Sequence, residues 1–220
     1  MIIKRGGNNE ERLYLYDDEF DFVEDHIIVK RTDMPNMENL VARHKARYLL
    51  PAFFCRPGMK VLDFPCGSGY GVKIFNKFFY IQYEGRDNDP VTVGYCNQMY
   101  GSGFIMDDLT SPYLLPNTYD LICCIEGIEH IGQEYQRPLI KAFHEALKTN
   151  GVLVVSSPEN SEGISGPSKT NPYHLWEITH SDLEMILCDS FKRVDVQILR
   201  VKGTLHNGQE ATCLYGICRK

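Results

Sequence analysis

The chain has 220 residues, 43% hydrophobic and 24% charged, which suits one α/β-type domain with a small appendage and a core that needs no staples. Its 23 basic and 29 acidic residues give a net charge of −6, which counts against a nucleic-acid binder built on a basic stripe, although folding can still gather a local basic groove. Eight cysteines without a CxxC pair argue against a zinc ribbon, and no signal-peptide core or run of about 20 apolar residues occurs, so a reduced, soluble, cytoplasmic protein is expected, with no membrane partner.

Residues 1–38 are polar and acidic with interleaved aromatics (LYLYDDEFDFVED). Their periodicity is weak, which predicts an extension that packs on, or covers the site of, the domain at 39–220. A helix is predicted at 38–54, where Leu40, Val41, His44, Tyr48 and Leu49 form a stripe that Pro57-Gly58 ends. Strand signals follow at 60–64, 79–84, 103–106, 119–125 and 151–156. Helix signals alternate with them at 69–77, 90–100 and 137–148. That alternation predicts a mostly parallel sheet covered on both faces. Residues 157–178 carry no periodicity, and a loop this long in a compact domain is usually functional. Ser181-Asp-Leu-Glu184 reads as a capping box opening another helix. Two strands, 192–201 and 210–218, are then expected as an antiparallel pair closing the sheet.

The sharpest local signal is VLDFPCGSGYG at 61–71. A strand ends at Asp63, and a turn carrying Gly67, Gly69 and Gly71 leads into a helix. Glycine lets such a turn close tightly and approach a ligand. Asp87 lies 20 residues beyond Gly67 at the end of the next strand signal, where a carboxylate can accept both hydroxyls of a ribose; Asp89 is its nearby competitor.

This G-x-G-x-G turn, with an acid four positions before its first glycine, resembles the first motif of class I S-adenosylmethionine (SAM)-dependent methyltransferases. TYDLI at 118–122 and ALKTNGVLVVSSPEN at 146–160 resemble later segments of that family, with Thr149-Asn150 where Pro-Gly is usual. The resemblance covers roughly residues 41–200. It implies a Rossmann-like, seven-stranded, mostly parallel sheet with one antiparallel strand, and SAM as cofactor. It also implies that the turn wraps the methionine part of SAM while Asp63 orients its amino group. Asp108, followed by Leu109, would meet the adenine, with Asp107 as the alternative after a one-residue slip. Pro65, Tyr70 and Asn88 flank these positions and are expected to line the same pocket.

Two further segments narrow the resemblance. His44-x-x-Arg47-Tyr48 and the N-P-Y-H-L-W-E run at 171–177 are similar to segments of methyltransferases linked to surface-glycan or nucleotide-sugar pathways. Arg47 is expected either to meet the SAM carboxylate or to be a surface helix charge. Glu126-Gly-Ile-Glu129-His130 is similar to the E-x-x-E-H of small-RNA 2′-O-methyltransferases, which bind a divalent metal there, and of ubiquinone-pathway O-methyltransferases. Positions i, i+3 and i+4 share one face of a helical turn. Glu126, Glu129 and His130, joined by His174 from the long loop, are therefore expected to form a divalent-metal site or a metal-free base cluster. Alternatively, Glu126 lines the SAM pocket and both histidines are structural.

The function expected is transfer of a methyl group from SAM to a sugar, nucleotide sugar or other small-molecule acceptor, most simply on oxygen. An RNA 2′-O-methyltransferase is the first rival, disfavoured by the acidic balance. A non-catalytic protein keeping the fold is the second.

Overall fold

The computed structural model describes residues 12–16, 19–24, 27–29, 37–204 and 210–220, with side chains described from Ala42 onward apart from Thr204. Within the predicted extension the backbone forms a three-stranded antiparallel sheet: β1 (Arg12–Tyr16), β2 (Glu19–Glu24) and β3 (Ile27–Val29). The expectation of weak periodicity there is corrected. Phe20 and Phe22 alternate with polar Glu19 and Asp21, the period-2 pattern of a strand.

The main sheet is built from β4 (Lys60–Asp63), β5 (Gln82–Asp87), β6 (Phe104–Met106), β7 (Tyr119–Cys124), β8 (Leu147–Pro158), β9 (Val196–Thr204) and β10 (Glu210–Arg219). Its order is β6-β5-β4-β7-β8-β10-β9. Pairs from β6 to β8 are parallel, and β10 runs antiparallel to both β8 and β9. The predicted seven-stranded sheet with one reversed strand is therefore present.

The central strands are buried on both faces, which is why they read as continuous apolar runs. Alternate residues feed two cores. Leu62, Ile122, Leu153 and Val155 pack against α4 (Gln133–Ala146) and α5 (His180–Cys188) through Leu139, Phe143, Leu183 and Leu187. Val61, Leu121, Cys123 and Val154 pack against α1 (Met37–Ala52) and α2 (Gly71–Asn76) through Tyr48, Ala52, Ile74 and Phe75. A third, smaller cluster joins α3 (Pro90–Tyr100) to Phe104. Among the described residues no helix is long and apolar enough to cross a membrane.

Several boundaries differ from expectation: α4 begins at Gln133 and not 137, β8 runs Leu147–Pro158 and not 151–156, and three others have a local reason. The strand expected at 79–84 begins at Gln82, because Tyr80 is 85% exposed and the aromatic run before it is a connection. The later start carries β5 to Asp87. The helix expected from Ser181 opens earlier: the extended Thr179 is its cap, its hydroxyl accepting the Asp182 N–H at 3.3 Å. The strand expected from 192 begins at Val196, after a 3-10 turn at Arg193–Asp195.

Candidate active site

Asp63, Asp87, Met106 and Cys124 end four of the five adjacent parallel strands, and a cleft of about 1510 Å³ opens beyond those ends. Open α/β sheets bind their ligands there. Of the residues expected from the sequence, Arg47, Pro65, Gly67, Tyr70, Asp87, Asn88, Asp108, Leu109 and Glu126 line this cleft, as do Glu129, His130 and His174. Gly69 and Asp63 lie behind its wall.

The glycine turn is held from below. Gly69 has φ +76°, and a Cβ there would lie 2.8 Å from Cys96 Sγ and 2.9 Å from the Phe104 ring. Asp63, which the resemblance implied would orient the cofactor's amino group, is fully buried beneath the turn. It accepts the Tyr48 and Tyr83 hydroxyls at 3.3 and 2.5 Å, and burial pushes its carboxyl up to about 7.

The competing acids separate cleanly. Asp87 accepts the Gly67 N–H on Oδ2 at 3.0 Å and the Asp89 N–H on Oδ1 at 3.1 Å, so it ties the turn to the end of β5. Asp89 is the cap of α3, accepting the N–H groups of Val91 and Thr92. Asp107 is engaged by Arg86 at 2.5 Å, and that guanidinium also pairs with Glu84 at 2.6 Å. Asp108 is exposed in the cleft, and its carboxylate accepts only from Thr110 among the described residues, which favours it over Asp107 as a ligand contact.

Arg47 reaches across from α1 to Glu126 at 2.8 Å. Glu126 also accepts the Ser156 hydroxyl at 2.8 Å and the Cys213 thiol at 2.9 Å. Burial alone would raise its pKa, but Arg47, Cys213 and Ser156 together lower it, so the carboxylate stays ionised. Arg47 is thus a largely buried charge in the cleft wall, paired with Glu126, and not a surface helix charge. Ser156 and Cys213 were not anticipated. Ser156 is the first polar residue ending the GVLVV run, a signal the sequence did contain; nothing local marks Cys213.

Beyond Glu126 the expected one-face cluster changes. Glu126 has φ +49°, so a helical turn does not start there, and the i, i+3, i+4 argument fails at its first member. Glu129 and His130 lie in the 3-10 turn Ile128–His130, and His174 arrives from the long loop. Glu129, His130 and His174 each offer a ligand atom within 4.8 Å of the others, and Glu126 is outside this group. The two imidazole rings meet edge to face at 5.2 Å. Glu129 is fully buried, and neither of its carboxylate oxygens has a hydrogen-bond partner among the described residues. Burial and the Glu126 charge push its pKa well up, so the pocket favours a proton or a cation beside it.

The loop is fastened at this point. Trp176 N–H donates to Glu129 O at 3.1 Å, and Gln136 Nε2 donates to Ile128 O and Trp176 O at 3.0 and 3.2 Å. Residues of this loop between 158 and 177 line the far end of the cleft. The expected cover at 1–38 lies outside the described side chains.

The fold and the cleft at its strand ends are those of a Rossmann-like methyltransferase domain. The chain belongs to the methyltransferase-domain family, whose model matches residues 36–193. It is 28% identical over 116 residues to the mitochondrial ubiquinone biosynthesis O-methyltransferase of Schizosaccharomyces pombe, a match covering 47% of this chain and 39% of that protein. Phosphoethanolamine N-methyltransferase 2 of Haemonchus contortus, solved with SAM, superposes with a TM-score of 0.66 at 13% identity, over 81% of this chain and 52% of that one. The N-methyltransferase NodS of Bradyrhizobium japonicum, solved with S-adenosylhomocysteine, gives 0.61 at 16% identity, over 81% and 86%.

Proposed function

We propose that this chain transfers the methyl group of SAM to a hydroxyl of a sugar, nucleotide sugar or other small metabolite, and that Glu129, His130 and His174 hold a divalent cation at the acceptor end of the cleft. The observation that carries this reading is the bare, buried carboxylate of Glu129 facing two imidazoles within 4.8 Å. A buried carboxylate without a partner is costly unless a cation or proton accompanies it. Mixed imidazole and carboxylate donors suit Mn²⁺, Fe²⁺ or Zn²⁺ better than Mg²⁺.

Bound SAM supplies an activated methyl group on a sulfonium, and a bound divalent ion supplies Lewis acidity that eases loss of a hydroxyl proton. The chain's own part is alignment and exclusion of water. Gly67, Asp87, Asn88, Asp108 and Leu109 would seat the nucleoside half. Glu126 and Arg47 line the same cleft. The loop 158–177 and strands β9 and β10 enclose the acceptor side. The net charge of −6 favours a small acceptor over RNA.

The test is turnover of methyl-labelled SAM with a panel of hydroxyl and amine metabolites, before and after chelation. Activity on a hydroxyl acceptor that is lost with chelator and returns with Mn²⁺ is expected. Activity indifferent to chelator would remove the ion and leave the histidines as a base pair. Turnover confined to amines would overturn the choice of oxygen.

A further inference from the structure

The hydrogen bonds of the long loop determine which nitrogen of His174 carries its proton. Asn171 Oδ1 accepts the Tyr173 N–H at 3.0 Å, which fixes the orientation of the Asn171 amide. Its Nδ2 therefore faces His174 Nε2 at 3.1 Å as a donor. A donor there requires a lone pair on Nε2, so in the neutral ring the proton sits on Nδ1. Nδ1–H in turn donates to Glu177 Oε1 at 2.7 Å. The His174 and Glu177 side chains are only 13% and 12% exposed, so bulk water screens this pair weakly.

Glu177 is itself stiffly mounted. Its N–H donates to Gly166 O at 2.8 Å, and Gly166 N–H returns a bond to Glu177 O at 3.0 Å. The neighbouring imidazole follows the same pattern: His130 Nδ1 meets the backbone oxygen of Tyr173 at 3.0 Å, an acceptor, so Nδ1 donates there too. One loop segment, 171–177, thus anchors the Nδ1 side of both rings.

We propose that Glu177 is a positioning residue for methyl transfer: it holds His174 in the tautomer that leaves Nε2 as the ring's lone pair, and Asn171 occupies that lone pair until a cation or acceptor replaces it. The proposal rests on the reading of His174 as part of the acceptor end. Outer partners of this kind fix ring orientation and basicity, and their loss typically costs about 10–100-fold in metal affinity or activity.

The experiment combines long-range ¹H–¹⁵N NMR of the histidine rings, without metal at about pH 8 where an ordinary imidazole is neutral, with Mn²⁺ and S-adenosylhomocysteine calorimetry on the full chain. The wild type should show His174 protonated on Nδ1. Glu177→Ala should give a mixture of tautomers and weaken Mn²⁺ binding by about 10–100-fold, with S-adenosylhomocysteine affinity unchanged. Glu177→Gln keeps an acceptor for Nδ1–H and should recover most of both. Asn171→Ala should keep the Nδ1–H tautomer, because the Glu177 carboxylate still accepts that proton. A Glu177→Ala protein that retains the Nδ1–H tautomer, or an Asn171→Ala protein that loses it, would overturn the proposal. If Glu177→Ala does not fold, the Glu177→Gln and Asn171→Ala spectra decide. Should the wild type bind no Mn²⁺, the cation reading falls while the tautomer result still tests Glu177.

Discussion

The two oxygens of Asp87 accept the backbone N–H groups of Gly67 and Asp89, and a carboxylate oxygen can accept more than one bond. The residue can therefore shape the glycine turn and receive ribose hydroxyls together. Asp87→Ala is expected to weaken SAM binding by roughly 1.5–3 kcal/mol, a loss of about 10–150-fold measured by calorimetry. Unchanged affinity would remove Asp87 from the cofactor site. Asp63 predicts a different effect. Its pKa rises from the usual 3.8 to about 7 on folding, so the native state binds the extra proton across that window. Its contribution to stability is present below 3.8 and is lost as pH climbs through 7. Asp63→Asn can still accept from one tyrosine and donate to the other, and it should flatten the decline in stability between those values. Urea unfolding of both proteins at several pH values checks this; identical slopes would contradict it.

At the scale of elements, the turn between β4 and α2 is the tightest constraint. Gly69→Ala would force an L-residue into φ +76° with its Cβ against Cys96 and Phe104. A cost of about 1–3 kcal/mol is expected, with a lower melting temperature and impaired SAM binding, read by thermal unfolding and calorimetry. A melting temperature equal to the wild type's would show that the turn is laxer than its geometry. This turn was legible in the sequence because glycines in a strand–turn–helix setting have few other uses. The central strands were legible too, since burial on both faces leaves an unbroken apolar run. The start of β5 was not, because Tyr80 looks like a strand residue yet faces solvent. Glu126 misled for a related reason: spacing implies a shared face only if the backbone is helical throughout, and a left-handed residue begins this segment. The bond between Cys213 and Glu126 joins residues 87 positions apart, and no local pattern encodes it.

Across the whole molecule, the sheet order brings the ends of β4, β5, β6 and β7 to one edge of the cleft, while β9, β10 and the long loop close the opposite side. Seating the cofactor on the first wall leaves the second for the acceptor, and the Glu129 cluster lies where the loop meets the sheet. That arrangement makes cofactor binding and acceptor activation separable: Glu129→Gln should leave SAM affinity within about twofold, a change under roughly 0.5 kcal/mol, while abolishing the response of turnover to chelator and Mn²⁺. The most direct test of the account is crystallographic. Crystals of the chain grown with S-adenosylhomocysteine and soaked in Mn²⁺ should give an anomalous difference peak among Glu129, His130 and His174, beside a nucleoside whose ribose meets Asp87. Full density for S-adenosylhomocysteine with no peak at that cluster would contradict the account.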